Sequence, residues 1–221
     1  MSIGSQRQGE IVKVFSRTGR ISTVVGALAV VALGLSSCSS AIGVAASVGT
    51  EKITVNQLQA SVNSINAARK AQALPADPKA ADLPRNQLRF YVLSLLLKSA
   101  AKTYGVTISA TEMASRRKGI LDQLGGETKL APALANAGIA KEDFDLYLRD
   151  VTYEERIGLA AAPAAAAGSA GDQERAAAVQ ASILAAGKKG NVSINPRYGT
   201  WDPATANIVA VDTTGGAVKK K

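Results

Sequence analysis

The sequence predicts a mainly α-helical bundle with one short two-stranded β element. Apolar residues recur at helical spacing through most of residues 54–186. Two capping-box patterns, Thr54 with Gln57 and Ser109 with Glu112, mark where helices begin. Only two short segments, residues 47–53 and 192–194, resemble strands.

Residues 1–37 have the composition of an export signal. Four basic residues and one acid precede the uncharged, largely apolar run 21–35. The run ends in Leu35-Ser36-Ser37-Cys38, which resembles the lipobox of bacterial lipoproteins. That resemblance implies cleavage before Cys38 and acylation of its thiol. It also implies a protein held by lipid on the extracytoplasmic face of the cell membrane.

Two other interpretations of this segment remain open. No charged residue occurs between Arg20 and Glu51, so an uncleaved membrane-spanning helix of about 20 residues would fit. The polar sequence around Cys38 disfavours that helix. A free buried cysteine is the second alternative. Cys38 is the only cysteine, so it forms no internal disulfide.

Composition excludes several classes of chemistry. The chain has no histidine, which excludes histidine-based triads and histidine-ligated metals. A single cysteine excludes cysteine-clustered zinc and iron–sulfur sites. No glycine-rich phosphate loop is present. We therefore expect no metal, no cofactor and no enzymatic activity. A hydrolase that uses serine or carboxylates is the enzymatic alternative, and no constellation of such residues in the sequence supports it.

The net charge is mildly basic. It is +9 for the whole chain, and removing the four basic residues and one acid of residues 1–37 leaves +6. The two basic runs, Arg116–Lys118 and Lys219–Lys221, contain no aromatic residues. They indicate solvated faces or attraction to anionic lipid or wall polymer, and we expect no nucleic-acid partner.

The elements of the first half follow in order. Residues 38–46 form a flexible tether, and the domain proper runs over 47–158. A helix begins after Thr54 and buries a stripe of apolar residues. A proline-containing loop, 73–84, leads to the most apolar helix, 85–104, which we expect at the centre of the bundle or facing a groove.

The remaining helices are shorter or more polar. Ser109 begins a helix that ends at Gly125-Gly126, a short helix carries Leu130 and Leu134, and residues 141–157 form the next. The Ala/Pro/Gly stretch 159–171 indicates a linker.

The C-terminal part is predicted to pack on the helical domain. Asp172 caps a final helix to about Ala186, and the closing segment spans residues 172–203. The strand Val192–Ile194 lacks a nearby partner, so we expect it to pair with the segment around Val48 and bring the ends of the domain together. Residues 204–221 are polar, and we expect them to be disordered.

The order of these elements resembles a known family. Residues 48–54, 104–109 and 137–144, with Gly125-Gly126, are similar to the N-terminal domain of SurA-like and PrsA-like extracytoplasmic chaperones. Residues 195–202 look like the short closing segment of actinobacterial members. Members often carry a parvulin prolyl-isomerase domain where this chain has only residues 160–171.

The resemblance implies a holdase-like chaperone for unfolded or newly exported polypeptides, without isomerase activity. A scaffold lipoprotein with one dedicated envelope partner is the alternative. Core packing is the other interpretation of the aromatic residues that best suit a client-binding groove. These residues are Phe90, Tyr91, Tyr104, Phe144 and Tyr147.

Overall fold

The computed structural model describes residues 43–75 and 79–211. Three turns of 3₁₀-helix, Ala80–Asp82, Glu127–Lys129 and Lys141–Asp143, each lead directly into a helix. The strands are β1 (Val44–Val48), β2 (Glu51–Thr54), β3 (Val192–Ile194), β4 (Thr200–Asp202) and β5 (Asn207–Val209). The helices are α1 (Val55–Ala71), α2 (Leu83–Thr103), α3 (Ala110–Leu124), α4 (Leu130–Ala137), α5 (Phe144–Ala161) and α6 (Ser169–Lys189).

The predicted fold class is confirmed, and the β structure is more extensive than one two-stranded element. β1 lies between β2 and β3 in an antiparallel sheet, and β4 pairs with β5 in a second one. Val48 is opposite Val192 in the register of β1 and β3. The strand after the last helix therefore pairs with the start of the domain, as the sequence predicts.

The tether prediction is wrong at its C-terminal end. Residues 44–46 belong to β1, and Ala45 and Ala46 are buried in the core. Alanine side chains are small enough for this strand to lie close against α2. The low-complexity composition suggested a tether, but two neighbouring strands hold the segment in place.

The two helix starts predicted at Thr54 and Ser109 are confirmed. The Thr54 hydroxyl accepts a hydrogen bond from the Gln57 amide at 3.0 Å, and Ser109 accepts one from Glu112 at 3.1 Å. Gly125 ends α3 in the left-handed conformation, with φ of 86°. That conformation suits glycine because it has no Cβ.

α2 is the central helix of the main core. Leu88, Val92 and Leu96 are fully buried along it, and it packs against α1, α5, α6 and the sheet. A second, smaller core contains Leu130, Leu134, Phe144 and Tyr147 under α3. α5 begins in the small core and ends against α6, so it connects the two. No helix within the described ranges is long and apolar enough to cross a membrane.

Two predictions for the C-terminal part are wrong. Asp172 does not cap the last helix: α6 begins at Ser169 after Gly168, and Asp172 lies in its first turn. The expected disorder from residue 204 does not hold through β5, where Ile208 is buried against the core. β5 is ordered by its pairing with β4. Residues 212–221 lie outside the described part of the chain.

Candidate functional site

The aromatic residues predicted to line a groove do not form one. Tyr91, Phe144 and Tyr147 are only 4%, 3% and 7% exposed, so they lie in the core and cannot contact a client in this conformation. Phe90 is partly buried between the two cores. Tyr104 is 40% exposed at the end of α2. The pattern at helical spacing identified core positions, which is the alternative interpretation given for these residues.

Tyr91 belongs to a buried polar cluster around Asp143. The Asp143 carboxylate accepts hydrogen bonds from the Ser61 hydroxyl at 2.6 Å, the Gln87 amide at 2.9 Å and the Tyr91 hydroxyl at 2.8 Å. These donors come from α1 and α2, so the cluster fixes the start of α5 to both helices. Burial raises the pKa of Asp143, and it raises the pKa of Tyr91 to about 12. This arrangement is structural because the Asp143 carboxylate and its three donors form their hydrogen bonds with each other, inside the fold.

Asp150, two turns farther along α5, is also buried. It accepts a hydrogen bond from the Ser94 hydroxyl at 3.0 Å, and the Arg149 Nε lies 3.9 Å from its carboxylate. Desolvation nevertheless raises the pKa of Asp150 to about 7. The side chain lies between α5 and α2 and has no access to a ligand.

The candidate site is the groove between α5 and α6. It has a volume of about 570 Å³, and residues of both helices and of the connecting segment line it. Its apolar surface includes Leu159, whose side chain is 52% exposed, and Val179. The lining residues are Glu154, Glu155, Gly158, Leu159, Ala165, Ala167, Asp172, Arg175, Ala176 and Val179.

Gly158 determines how closely the two walls approach. A Cβ at this position would lie 3.2 Å from the Arg175 Cβ and 3.5 Å from the Val179 Cγ2. The absence of a side chain therefore lets α6 pack directly on α5. Two residues of the non-helical connection 162–168, Ala165 and Ala167, also line the groove.

Charged side chains at the rim are paired, with one exception. Arg116 of α3 contacts Glu155 at 2.7 Å, and Arg175 contacts Asp172 at 2.8 Å. Glu154 has neither a hydrogen bond nor an ion pair within the described residues. It is partly buried, and desolvation raises its pKa to about 7. The groove therefore combines an apolar surface with one unpaired carboxylate.

Sequence reasoning missed this groove because it depends on how two consecutive helices, α5 and α6, pack on each other, which the sequence of either helix does not show. The signals that point to it are a glycine inside a helix, Gly158, and an exposed leucine, Leu159. Neither is specific without the position of α6. Cys38, the predicted lipidation site, lies outside the described residues. No group of acidic, histidine or cysteine residues within 43–75 and 79–211 is placed to hold a metal ion.

A comparison with known protein families gives a match. The model of the SurA-like N-terminal domain matches residues 11–157, about two thirds of the chain. The match ends inside α5, so α6 and the second wall of the groove lie beyond it. No curated protein and no solved structure shows a significant match. The chain belongs to the family of the SurA-like N-terminal domain, a chaperone-related family whose domains are parts of extracytoplasmic chaperones.

Proposed function

We propose that this protein is a membrane-anchored extracytoplasmic holdase, which binds unfolded segments of exported polypeptides in the groove between α5 and α6. The observation that carries the proposal is the groove itself, which is open to solvent and has an apolar surface among charged residues, in a chain of a chaperone-related family. Binding requires no covalent step, which agrees with the residue types that the chain lacks.

The shape and composition of the groove suit an extended polypeptide. A volume of about 570 Å³ falls within the range of about 300–1,000 Å³ that is usual for ligand sites, although here the site is open along its length. Burial of apolar surface stabilises a complex by about 25 cal/mol per Å². The loss of translational freedom and the ordering of the segment offset much of this gain. The expected affinity is weak and reversible, as a holdase requires.

The short connection between α5 and α6 supports a role without isomerisation. Related proteins often carry a parvulin domain at this place, whereas residues 162–168 connect the two helices here. So few residues cannot form a catalytic domain. A prolyl-isomerisation assay should give the background rate.

The proposed anchor is a lipid on Cys38. Five residues separate Cys38 from Val44, where β1 begins. An extended chain spans at most about 3.5 Å per residue, so the anchor would hold the domain within about 20 Å of the membrane. Labelling with a radioactive fatty acid should mark the protein, and a Cys38→Ala variant should lose the label. Labelling of the variant would exclude this site.

Suppression of aggregation tests the holding function. The full chain should slow light scattering by a chemically unfolded client, and Leu159→Asp should reduce this effect several-fold because the charge occupies the apolar surface. Leu159 is exposed, so the variant should fold. The matched control is Val211→Asp, which changes another exposed apolar residue outside the groove.

Equal suppression by both variants would place client binding elsewhere. No suppression by the unmodified protein would contradict the holdase function. If it then bound a single envelope protein and no unrelated client, the scaffold role would replace the holdase role.

A further inference from the structure

We propose that the groove between α5 and α6 prefers client segments in which a lysine or arginine stands among apolar residues, and that the Glu154 carboxylate binds the cationic side chain. This inference rests on the proposed function and names the chemical class of its substrate. It follows from the contrast between Glu154 and every other charged group at the groove.

The neighbouring cations are already engaged. Arg175 of α6 binds Asp172 at 2.8 Å and donates to the Ala165 carbonyl oxygen at 3.2 Å. Arg116 of α3 binds Glu155 and Glu112. Neither arginine is paired with Glu154, so the fold leaves this carboxylate for an external partner.

The titratable groups that interact with Glu154 on its own helix supply no positive charge. Asp150 and Tyr147 lie on the same helix and interact with it electrostatically, and neither carries positive charge. Among the residues lining the groove, three carboxylates stand against one arginine. The groove is thus locally acidic in a chain whose net charge is +9.

A basic side chain among apolar neighbours matches both features of the groove. The alkyl portion of lysine or arginine packs along apolar surface while its charged end reaches a polar group. Here the apolar surface is that of Leu159 and Val179, and the polar group is Glu154. A charge-assisted hydrogen bond in a partly desolvated site is stronger than one in open solvent. An uncharged segment would leave the carboxylate buried without a partner, and an acidic one would be repelled.

Three labelled peptides test the preference. They share one apolar sequence and differ only in a central Lys, Gln or Glu, and their binding to the full chain is measured by fluorescence anisotropy at pH 8. We expect the Lys peptide to bind about tenfold more tightly than the Gln peptide, as one hydrogen bond to a charged group provides. The Glu peptide should bind most weakly.

Two variants assign the preference to Glu154. Glu154→Gln should bind the Lys and Gln peptides equally. Glu174→Gln is the matched control, because it makes the same change at an exposed position of α6 outside the groove lining. The control should keep the tenfold difference. At pH 5.5 the unmodified protein should lose much of the difference, because protonation removes the charge of Glu154.

The outcomes separate this inference from the proposed function. Equal binding of the Lys and Gln peptides to the unmodified protein would overturn the inference and leave the holdase proposal standing. A preference that survives Glu154→Gln would also overturn it. Failure of all three peptides to bind would overturn both. Tighter peptide binding after deletion of residues 212–221 would assign the groove to the chain's own lysine-rich end instead.

Discussion

The two ends of α5 place carboxylates in opposite situations. At its start, Asp143 is 6% exposed and accepts hydrogen bonds from three side chains of α1 and α2. About three turns later, Glu154 is partly buried and has no such partner within the described residues. Burial raises the pKa of both groups.

The difference shows how one kind of group, a carboxylate, serves structure at the start of the helix, whereas farther along it a carboxylate is left for the binding role that we propose. Neighbouring helices supply hydrogen-bond donors to Asp143, so its carboxylate oxygens accept their hydrogen bonds within the fold. The α6 side of the groove has the small and apolar residues Ala176 and Val179 and an arginine and an aspartate that are paired with each other. A carboxylate that lines a groove without a partner in the fold is a better candidate for binding than one whose hydrogen bonds are made within the fold.

Replacing Asp143 should produce the largest effect on stability. Asp143→Ala leaves the donors of Ser61, Gln87 and Tyr91 buried without an acceptor, which should lower the free energy of unfolding by about 3 kcal/mol or more. Urea denaturation measures this change. The matched control is Asp145→Ala, since Asp145 is exposed and paired only at the surface with Arg117. It should cost less than about 1 kcal/mol. A similar small loss for Asp143→Ala would contradict the structural role of the cluster.

The sequence predicted much of the framework that holds Asp143. The structure contains the predicted capping residues Thr54 and Ser109 and the predicted buried central helix. It also contains the predicted pairing of Val48 with the segment 192–194. Local hydrogen bonds and helical periodicity determine these features, and both can be read from neighbouring residues. The boundaries of β1 and α6 were missed because tertiary contacts order their alanine-rich sequences.

The candidate site could not be predicted from local hydrogen bonds and helical periodicity. Phe144 and Tyr147 have helical spacing that fits a buried stripe and a binding face equally well, and only the packing of α3 and α4 over them decides between the two. Conversely, nothing in the sequence around Glu154 indicates that its carboxylate lacks a partner. An unsatisfied group is defined by what surrounds it, so the three-dimensional arrangement is required to find it.

The second prediction concerns pH and should produce a smaller effect. Asp150 and Glu154 have pKa values of about 7 in the folded protein, above their ordinary values of 3.8 and 4.5. Between pH 5 and pH 8 the folded state therefore binds more protons than the unfolded state, so the free energy of unfolding falls as pH rises. We expect a loss of about 2 kcal/mol over this interval, after allowance for solvent relaxation around both groups. Urea denaturation at the two pH values measures it.

The contribution of Glu154 to this pH dependence can be separated. Glu154→Gln removes one of the two groups and should reduce the loss by about half. Glu174→Gln, at an exposed position, should leave the dependence unchanged. A constant stability between pH 5 and pH 8 would show that Glu154 is solvated and that the groove does not desolvate its carboxylate.

The smallest effect is expected at Gly158, where α5 and α6 meet. Replacing a helical glycine with alanine usually stabilises a protein by about 0.5–1 kcal/mol. Gly119 of α3 has open space at its Cβ position, so Gly119→Ala should show this full gain. At Gly158 the new Cβ would meet the Arg175 Cβ at 3.2 Å, and the helices would have to separate slightly. Gly158→Ala should therefore gain nothing or cost up to about 1 kcal/mol in urea denaturation. Equal stabilisation by the two substitutions would mean that α6 does not pack closely on α5. The groove that Glu154 lines would then lack its second wall, α6.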